Sequence, residues 1–285
     1  MDSTDINAAR GLLYATGKFS RANELEADSL GYLLFQQASF QEHEAITALH
    51  TLDSAYQPKY DGRGGFFAPL NSSKYPFESA WLRETAKVQE QKPDEYLFSS
   101  DSLQSHPDLA VRIASLYERM GAPKVRQHTT DPAFFKRVVA LAEFQAVEAA
   151  RLSRRYDQCL FLIMQLWQRY PHNSFLVSRA VKVLVDLYDI KRFGLSFLYA
   201  ARYVSGYGER LQQVNRFVHN INGIESLELA YHMVNNQSNF DRDNPSHYYL
   251  LWKICQTTDR KQTAEKVSTA YRTKFDEPIA SYEFE

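Results

Sequence analysis

The sequence predicts a mainly all-α fold: a modest helical domain followed by an array of helical hairpins. Three observations predict it. Apolar residues recur at helical spacing through most of the chain. Between residues 131 and 275 one such pattern follows another with only short breaks. Prolines and glycines fall where these patterns stop, as helix ends require. The chain has 285 residues, 44% of them hydrophobic and 24% charged. That suits one large or two modest domains with a real core.

Residues 1–21 read as a short lead containing Gly11 and Gly17. Residues 22–37 form a predicted helix whose mainly apolar face carries Ala22, Leu25, Leu30, Leu33 and Leu34,. Ala38-Ser39-Phe40 reads as a turn. A second helix is predicted over 41–55, with Ala45, Ile46, Ala48, Leu49 and Leu52 facing inward. From Gln57 to about Pro76 the helical period disappears. Asp61-Gly62-Arg63-Gly64-Gly65, Pro58, Pro69 and Pro76 mark a long loop, anchored by Phe66 and Phe67,. Loops of this length are usually functional covers or mobile segments. A helix is expected over about 78–89. Another is expected over 107–120, with Pro107 in its first turn and Leu109, Ile113, Leu116 and Tyr117 at helical spacing,. Gly121 and Pro123 end it.

The domains are expected at 1–125 and 131–285. Within the second, Ala146 to Asn173 resembles the second half of a tetratricopeptide repeat. Tyr156-Asp157 sits at the turn, the small Cys159 takes the position where two helices approach, and Pro171 closes the pair,. A further pair is expected from Ser174 through Gly194 to about Tyr207, and another from 248–257 and 264–274, ended by Pro278. Two to four hairpins are expected in all. Such arrays bind peptides or proteins on their concave face, here lined by aromatic and arginine-rich helices such as 193–216.

Net charge is −1, and no basic stripe is present, which argues against a nucleic-acid partner,. The glycines at 62–65 are not a phosphate loop, because no Lys-Ser/Thr follows. Cys159 and Cys255 lie in apolar helical patterns and are expected to be buried free thiols,. The acidic start Met1-Asp2-Ser3-Thr4-Asp5 is the reverse of a signal peptide,. No run approaches the ~18 apolar residues of a membrane span. The compartment stays unassigned.

Two segments carry candidate chemistry. In Ser20-Arg21-Ala22-Asn23-Glu24-Leu25-Glu26-Ala27-Asp28, Glu24 and Asp28 are four apart and share one helix face, about 6 Å from each other,. One carboxylate can ligate zinc. A second, one turn away, can orient a ligating imidazole. In Ser105-His106-Pro107-Asp108-Leu109-Ala110-Val111-Arg112, a histidine precedes a helix and an arginine follows six residues later. Both can aim at an oxyanion. Taken singly, each of these features is common on ordinary helix surfaces.

In this order, with a glycine-rich loop between them, the segments resemble the HtpX, CAAX prenyl-protease and BepA group of zinc metallopeptidases (metallopeptidase family 48). That family follows an HExxH helix with S-R-x-x-E-x-E-A-D and then [ST]-H-P-x-x-x-x-R. The resemblance covers roughly residues 10–120. It implies a partial gluzincin helical domain in which Glu24 is a zinc ligand and Asp28 its supporting partner. His106 and Arg112 become catalytic groups that stabilise the tetrahedral intermediate. It implies zinc as cofactor and a protein or peptide as substrate. Some relatives carry tetratricopeptide repeats after the protease domain, and they sit in membranes or the cell envelope.

The HExxH motif, which supplies two imidazoles and the general base, is absent from the sequence. His43 and His50 are seven apart, ~10.5 Å along a helix, too far to share one zinc readily. His128, His172, His219, His232 and His247 have no paired spacing. Three explanations remain: a truncated peptidase, a split one whose partner chain supplies HExxH, or a degenerate relative kept as a binding module. Truncation is preferred, because a carboxylate ligand without its histidines has no use of its own. Alone, the chain is expected to be inactive, and zinc to bind only once HExxH is supplied.

Overall fold

The computed structural model describes residues 3–38, 41–55, 65–84, 108–120, 131–195 and 208–284, with side chains from residue 20 onward and none over 52–55. The regular structure among the described residues is all helical, three of the elements being short 3-10 turns, with no strand among them. The all-α expectation holds. The chain divides into two compact units, Met1–Pro58 with Gln89–Phe134, and Lys59–Val88 with Phe135–Glu285.

The first unit contains α1 (Ser3–Gln37), α2 (Glu44–Ala55) and α3 (Leu109–Arg119). Helix α1 begins well before residue 22, so the expected lead is helical from Ser3. Helix α3 packs on both α1 and α2. Asp108 caps α3 by accepting from the Ala110 amide at 3.0 Å, the usual way to satisfy a free amide at a helix start. Leu109, Ile113, Leu116 and Met120 then fall on one stripe and meet Tyr32, Ile46 and Leu49 in a small core. None of the five apolar positions expected on α1 joins it. Leu30, Leu33 and Leu34 are 55%, 52% and 65% exposed. Ala48 and Tyr117 also face outward. The inward stripe of α1 is a polar one, described below.

The second unit holds α4 (Pro132–Leu152, from Phe135 on), α5 (Tyr156–Trp167), α6 (Ser174–Arg192), α7 (Glu209–Asn220), α8 (Gly223–Val234), α9 (Pro245–Thr257) and α10 (Lys261–Phe275). Helix α5 lies on α6 and α7, α8 runs along α6, and α9 touches α6, α8 and α10. Short turns join α4 to α5, α5 to α6 and α9 to α10. Arg154, His172 and Asp259 take left-handed φ near +57° there. Asn173, Asn222 and Asn244 cap the helices that follow. Helix α8 begins at Gly223, where a Cβ would come 3.2 Å from Tyr188 Cδ2 of α6. The expected small residue at a close approach is present: Cys159 is fully buried and its Sγ reaches the Val147 carbonyl at 3.5 Å. Burial pushes its thiol up to about 12. Cys255 is likewise buried and free, pushed up to about 11.

Residues 65–84 differ from expectation. Where a helix over 78–89 is predicted, the described part forms only the 3-10 turn Ser79–Leu82, and 85–89 lie outside the described residues. The segment also belongs to the second unit, although it falls within 1–125. The cause is aromatic. Phe66 meets Phe161 of α5, while Phe67, Phe77 and Trp81 surround Phe217 of α7. Trp81 Nε1 donates to Glu225 at 3.1 Å, and Asn220 Nδ2 donates to the Trp81 carbonyl at 3.0 Å. Phe66 and Phe67 do serve as anchors.

His247 joins α9 to α6. It is fully buried, its Nδ1 accepts from the Asp241 amide at 2.9 Å, and so its Nε2–H donates to the Ser174 carbonyl at 2.9 Å. Burial lowers its pKa from the ordinary 6.5, opposed by the Ser174 carbonyl and Asp241. Burial also lowers His232. The unfolded chain therefore takes up protons at both sites before the native one does. Stability is expected to fall as pH drops through about 6.5 towards 5, before glutamates titrate. Urea midpoints at pH 7.5 and 5 measure this, and equal midpoints would contradict it.

Candidate functional site

Helix α1 presents Glu24, Asp28 and Tyr32 every fourth residue, and residues four apart share a helix face,. This face, and not the leucine face, turns toward the rest of the unit. Asp28 receives a two-pronged bond from Arg112 of α3: Nε to Oδ2 and Nη2 to Oδ1, both 2.7 Å. The same guanidinium reaches Glu24, Nη1 to Oε2, at 3.0 Å. The planar fork of arginine matches a carboxylate in a way lysine cannot. The side chains of Arg112 and Asp28 are 12% and 13% exposed, and that of Glu24 28%. The Asp28 hydrogen bond raises the Arg112 pKa most, burial opposes it, and the charges of Asp28 and Glu24 add to the rise.

One turn further, the Tyr32 hydroxyl donates to Glu42 Oε2 at 2.7 Å, and Glu42 is 5% exposed. Sequence reasoning missed this buried pair. The signal was present, since Tyr32 continues the spacing of Glu24 and Asp28.

Of the four residues singled out from sequence, the structure therefore brings three together: Glu24, Asp28 and Arg112. The fourth, His106, lies outside the described residues, as do Ser105 and Pro107. His43 and His50 are exposed on or beside α2, His43 pairing with Glu44 at 3.1 Å. No group of three or more His, Cys, Asp or Glu side chains suited to a metal occurs among the described residues. A catalytic zinc takes three protein ligands. The described residues offer the acidic stripe and its arginine, and do not by themselves make a zinc site. No helix among them is long and apolar enough to cross a membrane.

Residues 2–120 match the model of peptidase family M48. This supports membership of that family, and with it a metallopeptidase-type function, for the part of the chain that carries the Glu24–Asp28–Arg112 cluster. No curated protein and no solved structure matches the chain.

Proposed function

We propose that the first 125 residues are the third-ligand portion of a zinc metalloendopeptidase of the HtpX, CAAX prenyl-protease and BepA group, inactive until an HExxH segment is supplied. One observation carries the reading. Two motifs 84 positions apart meet through the Arg112–Asp28 fork, with Glu24 beside it. A merely solvated acidic pair would not recruit the one arginine that the second motif contains.

In this reading Glu24 is the carboxylate that helps hold zinc, and the bound metal supplies an activated water. Asp28 and Arg112 fix each other and thereby fix α1 against α3. Arg112 brings positive charge, and Arg112 and His106 bring hydrogen-bond donors, toward the peptide carbonyl. The exposed Leu30, Leu33 and Leu34 face supports the reading too, because it is apolar surface that a further helix would cover,.

The test supplies an HExxH helix to the chain, either fused ahead of residue 1 or as a second polypeptide. Unfolded casein should be cleaved, a chelator should stop cleavage, and zinc should restore it. Glu24→Gln should lower the rate at least about 100-fold, since changing even an outer-shell partner of a metal costs about 10–100-fold. Undiminished cleavage by that variant would refute the role of Glu24.

A second reading concerns the second unit. Its paired, tightly capped helices support a tetratricopeptide-like scaffold that binds a protein or peptide. It is compatible with the first, since such an array can deliver substrate.

A further inference from the structure

We infer that the second unit carries a peptide-binding groove over α9, α6 and α4 that takes an extended Tyr-x-Phe segment, and that residues 282–284 of the chain itself occupy it. The inference rests on reading this unit as a binding scaffold.

The tail leaves α10 through Asp276, which has a left-handed φ of 57°, and passes the turn Ile279–Ser281. It then crosses the helices in turn. The Tyr282 hydroxyl lies 2.6 Å from Ser246 Oγ of α9, and its ring packs on Tyr249 at 5.4 Å. Tyr282 is extended, at φ −69° and ψ 124°. Alternate side chains of an extended segment share a side. Phe284 accordingly returns to the groove while Glu283 faces solvent.

The Phe284 ring sits among three cations from two helices. Arg179 and Lys182 of α6 lie 5.0 and 5.7 Å from its centroid, and Arg151 of α4 lies 5.8 Å away. Cations are attracted to an aromatic face. These are held in place beforehand, since Glu148 binds both Arg151 and Arg179, and Asp186 binds Lys182. Three cations against two carboxylates leave an excess positive charge, which favours acidic residues beside the aromatic ones. Beside the ring a cavity of about 400 Å³ opens, sharing Arg151, Lys182 and Asp186 with the slot and adding Arg154, Tyr156 and Asp189. It gives a longer peptide room that the tail leaves unfilled.

Recognition by alternate aromatic side chains suits replacement of the tail by another segment of the same pattern. The test is fluorescence polarisation of a labelled synthetic peptide with the sequence of residues 279–285, added to the full chain. Phe284→Ala should bind it at least tenfold tighter than the unaltered chain, because the slot is vacated. Phe284→Leu, which keeps apolar packing without the ring, should fall between them. Adding Arg179→Glu to Phe284→Ala should reverse the gain. Circular dichroism checks that each variant is folded. Equal peptide binding by the unaltered chain and both Phe284 variants would overturn the groove. Unfolded casein separates the two readings: casein binding without peptide binding sinks the Tyr-x-Phe groove alone, and binding of neither sinks the scaffold as well.

Discussion

Phe217→Ala is expected to destabilise the second unit by about 3–5 kcal/mol, the range for truncating a fully buried phenylalanine. Phe217 has no exposed surface. Its ring centroid lies 5.5 Å from that of Phe77, 5.9 Å from Trp81 and 6.2 Å from Phe67. Those three rings come from residues 65–84, so the lost ring leaves a void whose far wall has little backbone of its own to hold it. The cavity cannot close without moving that segment. Aromatic pairs add about 0.5–1.5 kcal/mol each beyond their buried area, which places the cost toward the upper end. Phe217→Leu keeps most of the volume and is expected to cost less. Hydrogen exchange gives the decisive reading. Amides over 65–84 should lose more protection than those of the α9–α10 hairpin, where Tyr248 and Tyr271 pack on one another,. If 65–84 stays protected and the urea midpoint barely moves, the aromatic cluster is not what holds the segment.

That cluster also marks the limit of what the sequence made legible. Helical periods located α2, α3, α6, α9 and α10 closely, because most of each apolar stripe packs on neighbours, Ala48 and Tyr117 being exceptions. Helix α8 went unread, although Asn222 and Glu225 form a capping box that announces its start,. Residues 78–89 read as a helix by pattern, yet the described part is only a 3-10 turn. The rings at 77 and 81 are spent on α7, and no local rule foresees a partner 140 positions away. The apolar face of α1 was misjudged for a related reason. Leu30, Leu33 and Leu34 look like core, but the inward side is chosen by Arg112 and Glu42, which arrive from other elements. The candidate site fared better than the packing around it. Glu24 and Asp28 share a face by spacing alone, and the structure adds Arg112 across 84 positions. His106 falls outside the described residues.

Arg112→Met tests that site as a physical unit, independent of any activity. The methionine keeps much of the apolar stem and removes the fork. Asp28 and Glu24 then remain one turn apart, like-charged, with Asp28 mostly shielded from solvent. Breaking a buried ion pair from one side typically costs about 3–5 kcal/mol, because the surviving charge is left without compensation. The partial exposure of Glu24 lets water relieve some of this, so about 3 kcal/mol is expected for the first unit. Its core is small, which makes that a large share of its stability. Arg112→Lys keeps the charge and should cost less, since a point charge cannot bond both Asp28 oxygens. Asp28→Asn combined with Arg112→Met should recover part of the loss. That non-additivity separates a coupled pair from two independent packing effects. Hydrogen exchange over α1 and α3 is the measurement. If Arg112→Met leaves their protection unchanged, the fork does not join the two helices, and the motifs that carry the peptidase reading meet only by coincidence of folding.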